Sequence, residues 1–282
     1  MDATNPGYAE MKCMIFNAKE HVLTLGNVHM NYITFGTGTK HLVMIQGLNT
    51  RSIKGKAFLL ACMYRIFAKD YTVYLFDRRD EIYKEITVRE LALDIAAAMD
   101  ALGIKKADIV GVSQGGMIAQ YLAIDRPDLV HKLVLAMTLS QNNACVRAVI
   151  QHWISLTDQG KMKELVADMA VKMYSQTYVK RYKPLMSLLT LLQKPKDVPR
   201  FLLLAKSCLT CSTYRKLHKI QCPVFVIGAR NDQIVSGEAS EELATKLGCR
   251  IYIYEQLGHA AYEEAKDFNQ RVYDFLVESS PH

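Results

Sequence analysis

The chain has 282 residues, half of them hydrophobic, and a formal net charge of +7. A chain of this length can bury one large core, so a single domain carrying an insertion is expected rather than two independent domains. No apolar run approaches the roughly 18 residues that would cross a bilayer, the first residues carry neither a basic nor an apolar signal region, and seven cysteines scattered from Cys13 to Cys249 do not make a disulfide framework. The expected compartment is the cytoplasm.

In chain order, residues 1 to 20 show no strong period. Val22-Leu23-Thr24-Leu25 and the run Val28 to Phe35 read as two strands around a Gly26-Asn27 turn. Gly36-Thr37-Gly38-Thr39-Lys40 lacks the full spacing of a phosphate loop and is read as a turn. His41 to Ile45 is a short apolar strand ending in Gln46-Gly47-Leu48, Ala57 to Phe67 a helix, and Tyr71 to Phe76 a buried strand closed by Asp77-Arg78-Arg79-Asp80. Thr87 and Glu90 have the spacing of a capping box for a helix that Gly103 stops.

Next comes the apolar run Ala107-Asp108-Ile109-Val110, followed directly by Gly111-Val112-Ser113-Gln114-Gly115-Gly116 and a helix-compatible stretch that Pro127 cannot continue. Strand, tight turn and helix in this order make a G-x-S-x-G nucleophile elbow. The turn forces the serine into a strained conformation, and side chains at 111 and 115 would collide there. The new helix also aims its unpaired N–H groups and positive dipole end at the serine.

After a strand from Leu133 to Met137 the alternation of strand and helix stops. From about Ser140 to His218 the pattern is helical, punctuated by prolines 184, 195 and 199, and holds Trp153, Met162, Met169, Met173, Tyr174, Tyr178, Tyr182 and Met186. It is read as a helical cap over residues 140–218, set into a core of residues 1–139 and 219–282, with Trp153 a candidate for the pocket roof. Residues 140–219 carry 14 Lys or Arg against four acids, which leaves the remainder at −3. That surplus permits an anionic substrate, although a solvated helical face is the favoured reading. The alternation resumes with the strand Val224 to Ile227, a helix from about 237 to 247, the strand Arg250 to Tyr254 and a last helix from Glu264 to Val277. Such alternation predicts a mainly parallel sheet with right-handed crossovers.

A serine hydroxyl needs a base, and the base an orienting acid. Asp232 lies just past the strand ending at Ile227 and His259 just past the strand ending at Tyr254, on loops beyond carboxyl ends of strands, where sites of parallel sheets gather. The alternative acid position, after the strand ending at Met137, holds Thr138-Leu139-Ser140-Gln141 and no carboxylate. Cys208, Cys211, His218 and Cys222 offer a superficial set of zinc ligands, but Cys222-Pro223 opens a strand and the first pair suits one helix face. No metal site and no cofactor is expected.

These pieces resemble an α/β-hydrolase-fold serine hydrolase of the esterase, haloperoxidase and carbon-carbon hydrolase type. The similarity rests on Gly111 to Gly116, on Cys222 to Asp232, and on Gly258-His259 followed by Glu264 and Phe268. It implies an α/β fold with a mainly parallel eight-stranded sheet flanked by helices, Ser113 as nucleophile, His259 as base and then acid, Asp232 as its orienter, and backbone N–H groups of Leu48 and Gln114 as oxyanion donors. Gln46 and Gly47 stand where the family has His-Gly and are pocket candidates. Asp77-Arg78-Arg79-Asp80-Glu81 lacks the glycines of the family's Asp-x-Arg-Gly-x-Gly loop. The expected reaction is cleavage of a carboxylic ester or related acyl substrate. Carbon-carbon hydrolysis, acyl transfer, perhydrolysis or non-catalytic ligand binding on the same fold are the alternatives. The expected partner is a small-molecule acyl substrate and not a nucleic acid, bound by a monomer or homodimer.

Overall fold

The computed structural model describes residues 15–182 and 195–279. The opening residues 1–14, and Pro184 and Met186 of the expected helical cap, lie outside them.

Eight strands form one sheet: β1 (Lys19–Leu25), β2 (Val28–Phe35), β3 (Lys40–Ile45), β4 (Tyr71–Arg79), β5 (Ala107–Val112), β6 (Val130–Ala136), β7 (Val224–Ala229) and β8 (Arg250–Tyr254). Their order across the sheet is β1-β2-β4-β3-β5-β6-β7-β8. The β1–β2 hairpin and the β2–β4 pair are antiparallel, and every other pairing is parallel. The central strands are buried on both faces, which is why β5 and β7 read as continuous apolar runs without alternation.

The helices are α1 (Ala57–Met63), α2 (Val88–Ala101), α3 (Gln114–Asp125), α4 (Ala144–Asp158), α5 (Met162–Met173), α6 (Gln176–Tyr182), α7 (Val198–Cys208), α8 (Ala239–Leu247), α9 (Ala261–Glu264) and α10 (Phe268–Val277). On one face of the sheet α1 and α10 bury Leu60, Ala61, Phe268, Val272 and Phe275. The opposite face takes α2, α3 and α8, and its core continues without a break into Val146, Trp153, Leu165 and Leu204 of α4, α5 and α7.

Local chemistry sets the boundaries. The Thr87–Glu90 capping box forms in both directions, Asn143 and Asp197 accept N–H groups at the starts of α4 and α7, and Gly103 and Gly248 take up positive φ where α2 and α8 stop. The single helix expected over 57–67 breaks after Met63 into a short 3-10 turn. The last helix likewise begins earlier, as α9, and is interrupted before α10. Cys211 falls beyond the end of α7, so it does not share a helix face with Cys208.

The C-terminal helix is fastened by a buried lysine. Lys132, 4% exposed on β6, donates from Nζ to the carbonyls of Phe275, Leu276 and Glu278, putting a cation where the last carbonyls of α10 lack intrahelical partners. Lys132→Met keeps the aliphatic stem and orphans those carbonyls, at a cost of about 1–3 kcal/mol. The thermal midpoint should fall by roughly 2–4 °C per kcal/mol in a chain of this size. An unchanged midpoint would show that water replaces the ammonium without loss.

Candidate active site

The turn between β5 and α3 has the strain that its sequence implies. Ser113 sits at φ 54° and ψ −121° and makes no capping bond with its own hydroxyl, which leaves the side chain available to the cavity above the sheet. The conformation is held on several sides. Ser113 N–H donates to the Ala136 carbonyl at 2.9 Å, and the Ser113 carbonyl accepts from Thr138 Oγ1 at 2.8 Å. A Cβ on Gly111 would stand 2.5 Å from the Gly115 carbonyl, and one on Gly115 would stand 1.9 Å from the Ile45 carbonyl. Both glycines are therefore demanded by close approach, and the first turn of α3 is pressed onto the end of β3.

That contact brings the Gln46-Gly47-Leu48 loop against the serine. A Cβ built on Gly47 would lie 3.2 Å from Ser113 Cβ and 3.7 Å from its Oγ. Gly47, Leu48, Ser113, Trp153 and His259 line one cavity of about 480 Å³ including its mouth. Gln46 does not share it. Its side chain accepts from Asn49 at 2.7 Å, and the residue lines a second, apolar cavity between the sheet, Tyr64 and Phe67 after α1, and α10. Of the two neighbouring pocket candidates, Gly47 lines the cavity at the serine and Gln46 is not among its lining residues.

Asp232 and His259 meet as their loop positions suggest. His259 Nδ1 donates to Asp232 Oδ2 at 2.7 Å, with both side chains almost fully buried. The other carboxylate oxygen accepts Ile234 N–H at 2.8 Å and Val235 N–H at 3.0 Å, so its orientation is fixed. With Nδ1 committed to the carboxylate, the neutral ring carries its lone pair on Nε2. Glu255, the other acid near this loop, is paired instead with Arg230 at 3.1 Å on the surface.

The remaining lining is apolar: Met117, Val146, Ile150, Met169, Met173, Cys208, Ile234, Val235 and Tyr262, with no lysine, arginine or carboxylate among the described residues that line it. Trp153, Met169 and Met173 were foreseeable from the helical stretch. Cys208, Ile234, Val235 and Tyr262 were not, since nothing local distinguishes them from core. Burial pushes the Cys208 thiol up to about 11, so it is present as the neutral thiol. Tyr174, Tyr178 and Tyr182 are not among the residues lining the cavity; Tyr174 stacks on Tyr178 and Tyr182 packs against it at a tilt, both with centroids 4.4 Å apart.

The helices after β6 are tied to the site at several points, the start of α4 among them, where Asn143 Nδ2 donates to the Val235 carbonyl at 2.7 Å. Gln114 Nε2 donates to the Leu204 carbonyl at 2.8 Å and to Ser207 Oγ at 3.1 Å on α7. On the far side Ala260 N–H, next to the histidine, donates to the Met173 carbonyl at 2.7 Å, and Ser175 binds both oxygens of Glu264.

Comparison with known proteins fits this geometry. A family model described as alpha/beta hydrolase fold matches residues 40–159. A 2-hydroxy-6-oxo-6-phenylhexa-2,4-dienoate hydrolase of Comamonas testosteroni is 27% identical over 190 residues, 64% of this chain and 66% of that protein. A 2-hydroxy-6-oxononadienedioate/2-hydroxy-6-oxononatrienedioate hydrolase of a Pseudomonas species is 24% identical over 89% of this chain and 92% of its own length. Among solved structures, an alpha/beta hydrolase enzyme from a Medee basin deep-sea metagenome library superposes with a TM-score of 0.85 at 20% identity, covering 93% of this chain and 99% of that one. The chain has the α/β-hydrolase fold, and these curated relatives are hydrolases.

Gly115 offers a direct check on the packing that holds the elbow. Gly115→Ala places a methyl group into the Ile45 carbonyl and should cost at least the 1–3 kcal/mol typical of overpacking, about that much being lost in a denaturant titration. Wild-type stability would mean that the α3–β3 contact yields more easily than its spacing implies.

Proposed function

We propose that the protein is a serine hydrolase that cleaves a neutral, largely apolar carboxylic ester through an acyl-Ser113 intermediate. The observation that carries this reading is the opening of Ser113 and the Asp232-anchored His259 onto one apolar cavity. In the proposed cycle His259 Nε2 takes the proton as Ser113 Oγ forms its bond to the acyl carbon. The oxyanion is received by the N–H groups of Leu48 and Gln114, and collapse expels the alcohol, which leaves with the proton from His259. Water then repeats the sequence on the acyl-serine and returns the carboxylic acid. Asp232 holds the ring in the tautomer that leaves Nε2 free to act. Residues 140–218 would serve as the cap that closes the cavity and excludes water.

The curated relatives favour a second reading, carbon-carbon hydrolysis of a dienoate. Such substrates carry a carboxylate, and burying one without a cation or a full set of donors costs several kcal/mol. The basic surplus of residues 140–219 does not answer that need among the described residues. Arg147, Lys161, Lys163, Lys206, Arg215, Lys216 and Lys219 are exposed, Lys172 is paired with Asp168, and Arg200 reaches Asp77. The neutral ester is therefore preferred.

Three outcomes test the reading. Ser113→Ala should abolish hydrolysis of a short activated ester, by about a million-fold where the three residues act as a unit, while near-native turnover would remove Ser113 from its role. Asp232→Asn should keep the fold yet lower kcat by roughly ten-thousand-fold, because an amide can hold the imidazole in the wrong tautomer. Between two esters of matched size, one neutral and one bearing a terminal carboxylate on the acyl chain, kcat/KM should favour the neutral one by about a hundred-fold. A preference for the anionic ester that fades with added salt would return the basic helices to a role in substrate capture.

A further inference from the structure

The Asp77-Arg78-Arg79 run, where the family resemblance leads one to expect a glycine-bearing loop, is the end of strand β4, and its side chains part company. Arg79 turns outward to Asp94 on α2. Asp77 accepts the N–H groups of Ile53 and Arg78. Arg78 goes inward and is only 4% exposed. Its guanidinium bonds to no carboxylate among the described residues, although Asp77 acts on it through space: Nε donates to Gln114 Oε1 at 3.2 Å, while Nη2 donates to the Gln46 carbonyl and, more weakly, to the Gly47 carbonyl at 3.4 Å. Nη1 is buried with no hydrogen-bond partner among the described residues.

A buried guanidinium with an unused donor is costly, and a tether made only for stability would be cheaper as an apolar contact. Its partners suggest what the charge is for. The Gly47 carbonyl belongs to the same peptide group as Leu48 N–H, so a cation on the oxygen both fixes the direction of that N–H and polarises it. The Gln114 side chain is held by the same guanidinium, and Gln114 supplies the other backbone N–H. One buried cation thus braces both sides of the place where the acyl oxygen would sit.

We propose that Arg78 is the positioning residue of the oxyanion hole, aiming the N–H groups of Leu48 and Gln114 and adding a fixed positive charge behind them whose attraction grows as the oxyanion forms. This rests on the serine-hydrolase reading above. Burial pushes the guanidinium down to about 10, which still leaves it a cation at neutral pH. Fixed charge behind a dry loop acts on the tetrahedral state and hardly on the neutral ester, so the effect belongs to kcat and not to KM.

The test compares Arg78→Met with wild type on a neutral p-nitrophenyl ester, a trifluoromethyl ketone of the same acyl group, which forms a tetrahedral oxyanion on the serine, and the corresponding methyl ketone, which binds without one. Arg78→Met should lower kcat by about a hundred-fold, the range seen when an oxyanion donor is lost. KM and the methyl ketone affinity should stay within about threefold, and the trifluoromethyl ketone should weaken by the same hundred-fold as kcat. If Arg78→Met gives no folded protein by circular dichroism, Arg78→Lys decides. The charge without the fork should cost about tenfold in kcat, with an equal loss of trifluoromethyl ketone affinity. The inference is overturned by a folded variant with unchanged kcat, or by a fall in kcat that the trifluoromethyl ketone does not share. Turnover that survives Ser113→Ala overturns the serine reading and this inference together, whereas turnover lost in Ser113→Ala but intact in Arg78→Met overturns this inference alone.

Discussion

Everything at the candidate site depends on how closely α3 is packed against the end of β3. With the Gly115 backbone lying so near the carbonyls of Ile45 and Gln46 that no side chain fits between them, the Ser113 turn and the Gln46-Gly47-Leu48 loop become one rigid body. Ser113 can then be kept at a positive φ that a free chain would abandon, since neighbouring structure over-determines it through Ala136, Thr138 and Gly111. The strain is of the order of 1–3 kcal/mol, small against the packing that opposes its release.

From that contact the remaining parts of the site follow as attachments. Gln114 is the hub: its backbone opens α3, while its side chain runs from Arg78 below to Leu204 and Ser207 above. Helix α7 is thereby bound to the elbow, and Arg200 from the same helix reaches the carbonyls of Arg78 and Arg79. The histidine loop is fixed from two directions as well, by Asp232 from the loop after β7 and by Met173 and Ser175 from α5 and the turn after it. Both α7 and the end of α5 are thus bound to the loops that carry the candidate residues.

The elbow and the two late loops were legible in the sequence because each is determined by near neighbours: a strand, a turn that only glycine permits, and a helix, or a polar residue directly after an apolar strand. Strand boundaries were legible for the same reason, within two or three residues for most strands. What was not legible depends on contacts distant in the chain. Arg78 sits in a run of charges that reads as an exposed loop, and only the continuation of β4 to Arg79, paired with Met30 of β2, turns its side chain inward. Gln46 and Gly47 differ in which cavity they face, and a one-residue alternation in an irregular loop has no period to reveal it. Ile234, Val235 and Tyr262 join the cavity only because the loops bearing Asp232 and His259 fold over it. The basic surplus of the helical segment was read from its amount, whereas its meaning depends on direction, and the described side chains point to solvent or to acidic partners.

The central claim is that the strained serine is a nucleophile activated by the histidine beside it, and covalent trapping addresses it without any assumption about substrate. After brief exposure to an alkyl fluorophosphonate, intact mass should show one adduct per chain, peptide mapping should place it on Ser113, and Asp232→Asn should slow its formation severely. Labelling at another residue, or no labelling of a folded protein whose cavity is open to the reagent, would contradict the account.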